Sequence, residues 1–289
     1  MKQDIRRFSA EVVNQDDFIP TILNEEKPFI ISSIEACDSK RLTPEEVKKL
    51  FCSKSKQDLG WYNSDLIENN NIQIPGIVKQ IMKRTDMSFR KLPMRVFMQP
   101  CGHITLPHYD GNSLHVVNLQ VTGRKKWILT SPHTPLPTLP FMFAGMVSRN
   151  FYYNPEKYDF MEFETLPGDL LFVPRYWYHE VHSLDKVNLN FTWVFTPFFP
   201  NEGSPLGKRE VEIIKLRRIF PLINRIFPDN IREYGGCGEE IINRYTSNVN
   251  NLRVLTRFLK EVSKYPRLFL LAKELKARAN EFAINNFNV

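Results

Sequence analysis

The chain reads as a mainly β protein with helical additions: a strand-rich core over about 90–198, helices ahead of it and a helical extension behind it. Three observations predict this. Between residues 94 and 198, short apolar or alternating runs are separated by turn residues, as in Asn188-Leu189-Asn190-Phe191-Thr192-Trp193, where polar and apolar residues alternate with the period of a half-buried strand. Beyond residue 200 the period changes to that of a helix, in Val211-Ile214-Leu216-Ile219 and in Leu252-Leu255-Phe258-Leu259-Val262. Third, His108-Tyr109-Asp110 is answered by His179, sixty-nine positions after the aspartate. Residues i and i+2 of a strand project from one face, and a third ligand from a strand distant in sequence can close a triangle with them.

The elements follow in order. Pro28-Phe29-Ile30-Ile31 is a short apolar strand. Thr43-Pro44-Glu45-Glu46 starts a helix that runs through Leu50 and Phe51, with a threonine cap, proline at the first position and glutamate at the third. Ile77 to Met82 predicts a second short helix. Gly102 to Asp110 is a strand running into a loop. Pro167-Gly168-Asp169 is a tight turn feeding the apolar run Leu170 to Val173, which Pro174 ends before a Tyr-Trp-Tyr cluster and His179. Residues 131–163 hold five prolines (132, 135, 137, 140, 155) and eight aromatics, and read as one long loop of the functional kind. Gly235-Gly236-Cys237-Gly238 separates two helical blocks. The chain therefore divides into residues 1–200 and a helical element, 201–289.

An HxD motif alone is a weak signal in a chain with six histidines. Its setting sharpens it. Two histidines and a carboxylate on one face of a metal, with the other positions open, suit non-haem Fe(II) oxygenases, and aromatic bulk beside a ligand holds the ring and excludes water. The segment PGDLLFVPRYWYHEVHSL resembles the second-histidine segment of the JmjC and cupin-like 2-oxoglutarate oxygenases, and LPHYD followed by LQVTGRKKWILTSP resembles their first-ligand segment. The resemblance covers roughly residues 90 to 198.

That resemblance implies a double-stranded β-helix, the jelly roll of cupin and JmjC type, with His108, Asp110 and His179 as Fe(II) ligands. It implies 2-oxoglutarate as co-substrate with O₂, and a fixed positive charge for its far carboxylate in a Gly-x-Lys pattern, here Gly123-Arg124-Lys125. Alternation leaves a choice: Lys125 with Trp127 and Leu129 on one face, or Lys126 with Ile128 and Thr130 on the other; the apolar company favours Lys125. Thr105, three residues before His108, matches a hydroxyl that joins the lysine, or is an ordinary strand threonine. Asn190, three residues before Trp193, matches an asparagine near iron and co-substrate; Asn188 is the alternative. One departure stands out. Where relatives carry an asparagine seven residues before the turn glycine, this chain has Val116, and Asn112 or Asn118 is the substitute to look for. His182 falls on the face opposite His179, and His103, His115 and His133 read as structural or exposed.

Composition bounds the rest. The 289 residues, 42% hydrophobic and 25% charged, describe an ordinary globular protein. Four cysteines without a CxxC pair read as reduced thiols, the N-terminus lacks a leader-like apolar stretch, and no run of about twenty apolar residues spans a membrane. The expectation is a cytoplasmic protein, or a nuclear one in a eukaryote. Of the net charge of +7, +6 sits in the tail: residues 201–289 carry sixteen Lys/Arg against ten Asp/Glu. A basic helical tail fits either a solvated dimerisation unit or an RNA-binding surface; the expectation is a homodimer through the C-terminal helices. The resemblance implies a hydroxylase that releases succinate and CO₂. A protein side chain is its first substrate, with a tRNA nucleoside or a small molecule as alternatives. A non-catalytic binding module and a non-oxidative cupin are the competing classes.

Overall fold

A computed structural model of the chain describes residues 2–12, 17–32, 74–84, 89–91, 95–110, 114–134, 158–197 and 250–264, with isolated positions at 34 and between 206 and 216. Twelve strands and three helices lie in these segments: β1 (Lys2–Gln3), β2 (Arg6–Ser9), α1 (Phe18–Asn24), β3 (Phe29–Ser32), α2 (Gly76–Arg84), β4 (Phe89–Lys91), β5 (Arg95–Pro100), β6 (Ile104–His108), β7 (His115–Thr122), β8 (Lys125–Thr130), β9 (Phe160–Thr165), β10 (Leu170–Val173), β11 (Tyr178–Ser183), β12 (Val187–Pro197) and α3 (Asn251–Lys264). The strands form two sheets. The smaller runs β1-β9-β8-β11-β6; the larger runs β2-β3-β10-β7-β12-β4, with β5 also on β12. All pairings are antiparallel except β1 with β9 and β2 with β3. This is the expected jelly roll, its core strands falling within the predicted 90–198.

Three apolar layers follow from the strand period. Between the sheets pack Val116, Trp127, Leu129, Leu171, Val173, Val181 and Val194. On the outer face of the larger sheet, Val117, Leu119, Phe172, Leu189, Phe191 and Trp193 meet Ile19 and Ile22 of α1 and Ile77, Val78 and Ile81 of α2. Those helix residues recur at the spacing that aligns them on one face. Because both faces are covered, β7 is buried along His115 to Gln120, and each such aliphatic side chain contributes about 1.5–3 kcal/mol. On the outer face of the smaller sheet, Ile128 packs with Tyr109, Tyr158, Tyr176 and Tyr178.

Two turns set the register. At Pro167-Gly168-Asp169, Gly168 has φ +90°, and the Asp169 carboxylate accepts from the Leu166 amide at 3.0 Å and from Arg7 at 2.9 Å. Gly123, with φ +72°, joins β7 to β8, and a Cβ there would lie 2.3 Å from the Val187 carbonyl oxygen and 2.8 Å from Asn188 Oδ1. Gly123→Ala is therefore expected to cost about 3 kcal/mol or more, read as a lower urea midpoint at an unchanged slope; an unchanged midpoint would contradict the fit.

Several expectations meet the structure directly. The strand at Phe29 and the helix at Ile77 are present. The long loop ends earlier than expected: Phe160 to Phe163 belong to β9, held by its ladder to β8. The helix expected from Thr43, most of that loop and Asn112 lie outside the described residues, as do the boundary near residue 200 and most of the C-terminal blocks. Within the last of these, α3 buries Val254 and exposes Leu252 and Leu259. Cys101, the one cysteine among the described residues, is a free thiol. No helix among the described residues is long and apolar enough to cross a membrane.

Candidate metal and co-substrate site

Cross-strand register places the site. On β11, His179 lies opposite Leu129 of β8 and His108 of β6, and Val181 opposite Trp127 and Thr105. Opposed residues share a face, so His108, Thr105, His179, Val181, Leu129, Trp127, Ser183 and Lys125 all line the inside of the barrel. His108 and Thr105 are an odd number of residues apart, which alternation alone puts on opposite faces. An irregularity in the ladder between His179 and Val181 reconciles them, as a bulge does by inserting an extra residue.

The result is one cluster. A nitrogen of His108, a carboxylate oxygen of Asp110 and a nitrogen of His179 lie within 4.8 Å of one another; Asp110 stands 4.0 Å from His108 Nε2 and 3.7 Å from His179 Nε2. His179 Nδ1 faces the Trp177 carbonyl at 3.0 Å. Donation there fixes the tautomer and leaves the Nε2 lone pair pointing at the cluster, as metal-binding histidines are commonly held. Burial first, and the charge of His108 second, push the His179 imidazole down to about 4, so at neutral pH it is an unprotonated donor. His179 is closed in at 9% side-chain exposure, whereas His108 and Asp110 are open at 26% and 21%. Three convergent donors with solvent on one side are the donor set and the open hemisphere that a ferrous ion with exchangeable positions requires.

The loop before His179 is braced. Tyr176 has φ +65° and Glu26 φ +47°, both uncommon for residues with a Cβ. They are held against each other: Trp177 Nε1 donates to the Glu26 carbonyl at 3.0 Å, and Arg175 reaches the Glu26 carboxylate at 2.6 Å. The aromatic cluster seen in the sequence thus locks backbone as well as excluding water.

Deeper in the barrel, Lys125 is 3% exposed. Its ammonium donates to Gln99 Oε1 at 2.8 Å and to Asn190 Oδ1. No carboxylate among the described residues pairs with it, and burial pushes it down to about 7. An uncompensated buried cation is costly, so the environment fits a ligand that brings its own negative charge. The inward face of β12 is Asn188, Asn190 and Thr192, buried as alternation predicted. Thr192 Oγ1 accepts from Asn118 Nδ2 at 2.7 Å and from Asn190 Nδ2 at 3.3 Å. Asn118 is buried on the same face as Val116, and its Oδ1 has no hydrogen-bond partner among the described residues; Asn112, the other candidate, lies outside them. Thr105 is half-buried on the inner face, and among the described residues it makes no hydrogen bond to Lys125.

Lys126 is on the outer face, paired across the ladder with His182 and Glu164. His182 lies outside the barrel as expected but is half-buried, its Nε2 2.5 Å from Glu180. His115 is structural, stacked on Phe172 at 5.7 Å. Sequence reading missed Gln99, Ser183 and Thr192. The alternation of Arg95, Phe97 and Gln99 along β5 marks an inner face, but nothing local says which strand it meets.

Fold and site together define a class: a cupin-type jelly roll presenting two histidines and a carboxylate within its mouth. Residues 77–198 match the JmjC domain family. Among curated proteins, it is 38% identical over 106 residues to "HSPB1-associated protein 1" of Rattus norvegicus, covering 32% of this chain and 22% of that protein. It is 32% identical over 111 residues to "2-oxoglutarate and iron-dependent oxygenase JMJD4" of Gallus gallus, covering 34% and 26%. A third, "Bifunctional lysine-specific demethylase and histidyl-hydroxylase NO66" of Drosophila pseudoobscura pseudoobscura, is 34% identical over 87 residues, covering 30% and 8%. The matched part thus spans about a quarter or less of each relative's length.

Proposed function

We propose that this protein is an Fe(II)- and 2-oxoglutarate-dependent hydroxylase. The observation that carries this reading is the pairing, inside one barrel, of the His108-Asp110-His179 cluster with the buried, carboxylate-free Lys125. A relative named for its dependence on 2-oxoglutarate and iron adds support. Leu129, which lies opposite His179, is four positions along β8 from Lys125; that is about 13 Å of strand, a span that a lysine side chain and a short dicarboxylic acid fill together.

In this reading His108, Asp110 and His179 hold the ion from one side and leave the solvent side free. When bound, the iron supplies O₂ activation, with 2-oxoglutarate decarboxylated to succinate and CO₂ as one oxygen enters the substrate. Lys125 anchors the far carboxylate by a charge-assisted hydrogen bond. Asn190 and Thr192 orient that ammonium, and Thr105 shares the inner face. Asn118 offers an amide oxygen within the barrel. Trp127 and Trp177 keep bulk water from the His179 side. The chain's contribution is position and electrostatics, the iron's the oxidation.

The first substrate reading is a protein side chain, supported by a relative whose name carries two activities on protein residues. An RNA nucleoside is the second, favoured by the positive charge gathered in residues 201–289. The assay is succinate formation from 2-oxoglutarate with Fe(II) and O₂, first alone and then with cell protein or RNA, with mass spectrometry for one added oxygen. Succinate is expected, stimulated by protein. Absence of both turnover and 2-oxoglutarate binding would instead favour a binding module, and product without O₂ a non-oxidative cupin. The C-terminal helices are read as a dimerisation unit; sedimentation of the full chain as a monomer would remove that reading.

A further inference from the structure

We propose that Gln99 is a positioning residue for the co-substrate: its amide oxygen, with that of Asn190, holds the Lys125 ammonium so that one N–H remains for an incoming carboxylate. The inference rests on the reading of Lys125 as the carboxylate anchor. An ammonium has three donors and no acceptor. Two are spent, on Gln99 Oε1 at 2.8 Å and on Asn190 Oδ1. Gln99 is itself fixed. Ser183 Oγ donates to the same Oε1 at 3.4 Å, and its backbone carbonyl accepts from Asn188 Nδ2 at 3.3 Å. β5 and β12 pair here, Gln99 opposite Asn188 and Phe97 opposite Asn190, so the amide reaches Lys125 from the larger sheet while the lysine comes from the smaller one.

A neutral acceptor at this point has a consequence for affinity. A carboxylate in place of Gln99 would satisfy the ammonium permanently and compete with the ligand. An apolar side chain would leave the buried charge less supported and favour the uncharged amine. The amide lies between: it keeps the cation aimed without neutralising it. The other groups near Lys125 are identifiable. Thr165 of β9 and Ser183 of β11 are its uncharged ladder partners. His103 is the nearby titratable one, pushed down by burial first and by the Lys125 charge second. Arg95 shares the Gln99 face of β5, four residues away, opposite Thr192.

The test is anaerobic calorimetry of 2-oxoglutarate binding to the full chain loaded with Fe(II), from about pH 6 to 9, with two near-isosteric variants. Gln99→Met is expected to weaken binding about tenfold and to move the loss of affinity with rising pH to a lower pH. Gln99→Glu is expected to weaken it also, but to move that loss to a higher pH, because the new carboxylate supports the ammonium while occupying it. A role in folding alone would not shift the two profiles in opposite directions. Wild-type affinity and an unmoved pH profile in either folded variant overturns the inference. If Lys125→Ala binds 2-oxoglutarate like the wild type, the anchor reading itself is wrong; if that variant fails while both Gln99 variants bind normally, the role of Gln99 alone is refuted.

Discussion

His179→Ala is expected to abolish turnover and to weaken Fe(II) binding at least about 100-fold, the upper range for losing merely a residue that supports a ligand. The reason lies in how the three donors are assembled. His108 and Asp110 come from one strand end, so their spacing is local. His179 comes from the far side of a ladder and is the most enclosed of the three. Its Nδ1 is held by the Trp177 carbonyl, whereas His108 and Asp110 are both solvent-accessible. Without it, two accessible side chains remain and the third position is filled by water. Metal content after gel filtration, measured beside the thermal midpoint, separates lost binding from lost folding. Retained iron at normal stoichiometry would mean that the cluster is not the metal centre.

The second large effect concerns Lys125. Lys125→Met is expected to raise the apparent KM for 2-oxoglutarate about 100-fold or more, from loss of a charge-assisted contact in a buried site, while Lys126→Ala stays within about twofold as an outward substitution. Equal effects would mean that the other face of β8 is the functional one. The same change is expected to raise the unfolding midpoint, because a buried charge with no ion-pair partner is exchanged for an apolar side chain of similar length. The pH dependence follows in sign. Burial holds Lys125 at about 7 in the folded chain, below its ordinary value, so the unfolded state binds the extra proton between about 7 and 10.5. Stability of the ligand-free protein from this group therefore rises with pH across that window. Affinity for 2-oxoglutarate runs the other way, falling as pH rises through 7, since the carboxylate needs the charged form. Calorimetry above pH 7 in buffers of different ionisation enthalpy should register proton uptake on binding.

Much of this site was legible in one dimension because its parts sit on short-range rules. His108 and Asp110 are two residues apart at the end of β6, so their approach is local. Trp127 and Leu129 vouch for Lys125 by the period of two, and the alternation of Asn188 to Trp193 puts Asn188, Asn190 and Thr192 on one face. Thr105 shows where that rule ends. Its three-residue offset from His108 places it outside unless a bulge intervenes, and a bulge depends on the partner strand. Gln99 shows another limit, for its importance comes from β12 pairing and from a lysine on the opposite sheet. The loop end at Phe160 was misplaced because aromatics near prolines look alike in a loop and in a strand, and the ladder to β8 settles the matter.

In the linear chain, local period and turn chemistry determined the strand faces and turns, and the resemblance of two segments to JmjC and cupin-like oxygenases implied the jelly roll, the three metal-ligand candidates and the lysine. The tertiary structure decided which groups converge and how they are charged: the 3.7 Å approach of His179 to Asp110, the ladder irregularity that turns Thr105 inward, and the neutral amides around Lys125. The first two depend on the pairing of β11 with β6, the third on the approach of the two sheets over a low-dielectric interior. Distance across a barrel, unlike distance along a strand, is not encoded by any local period.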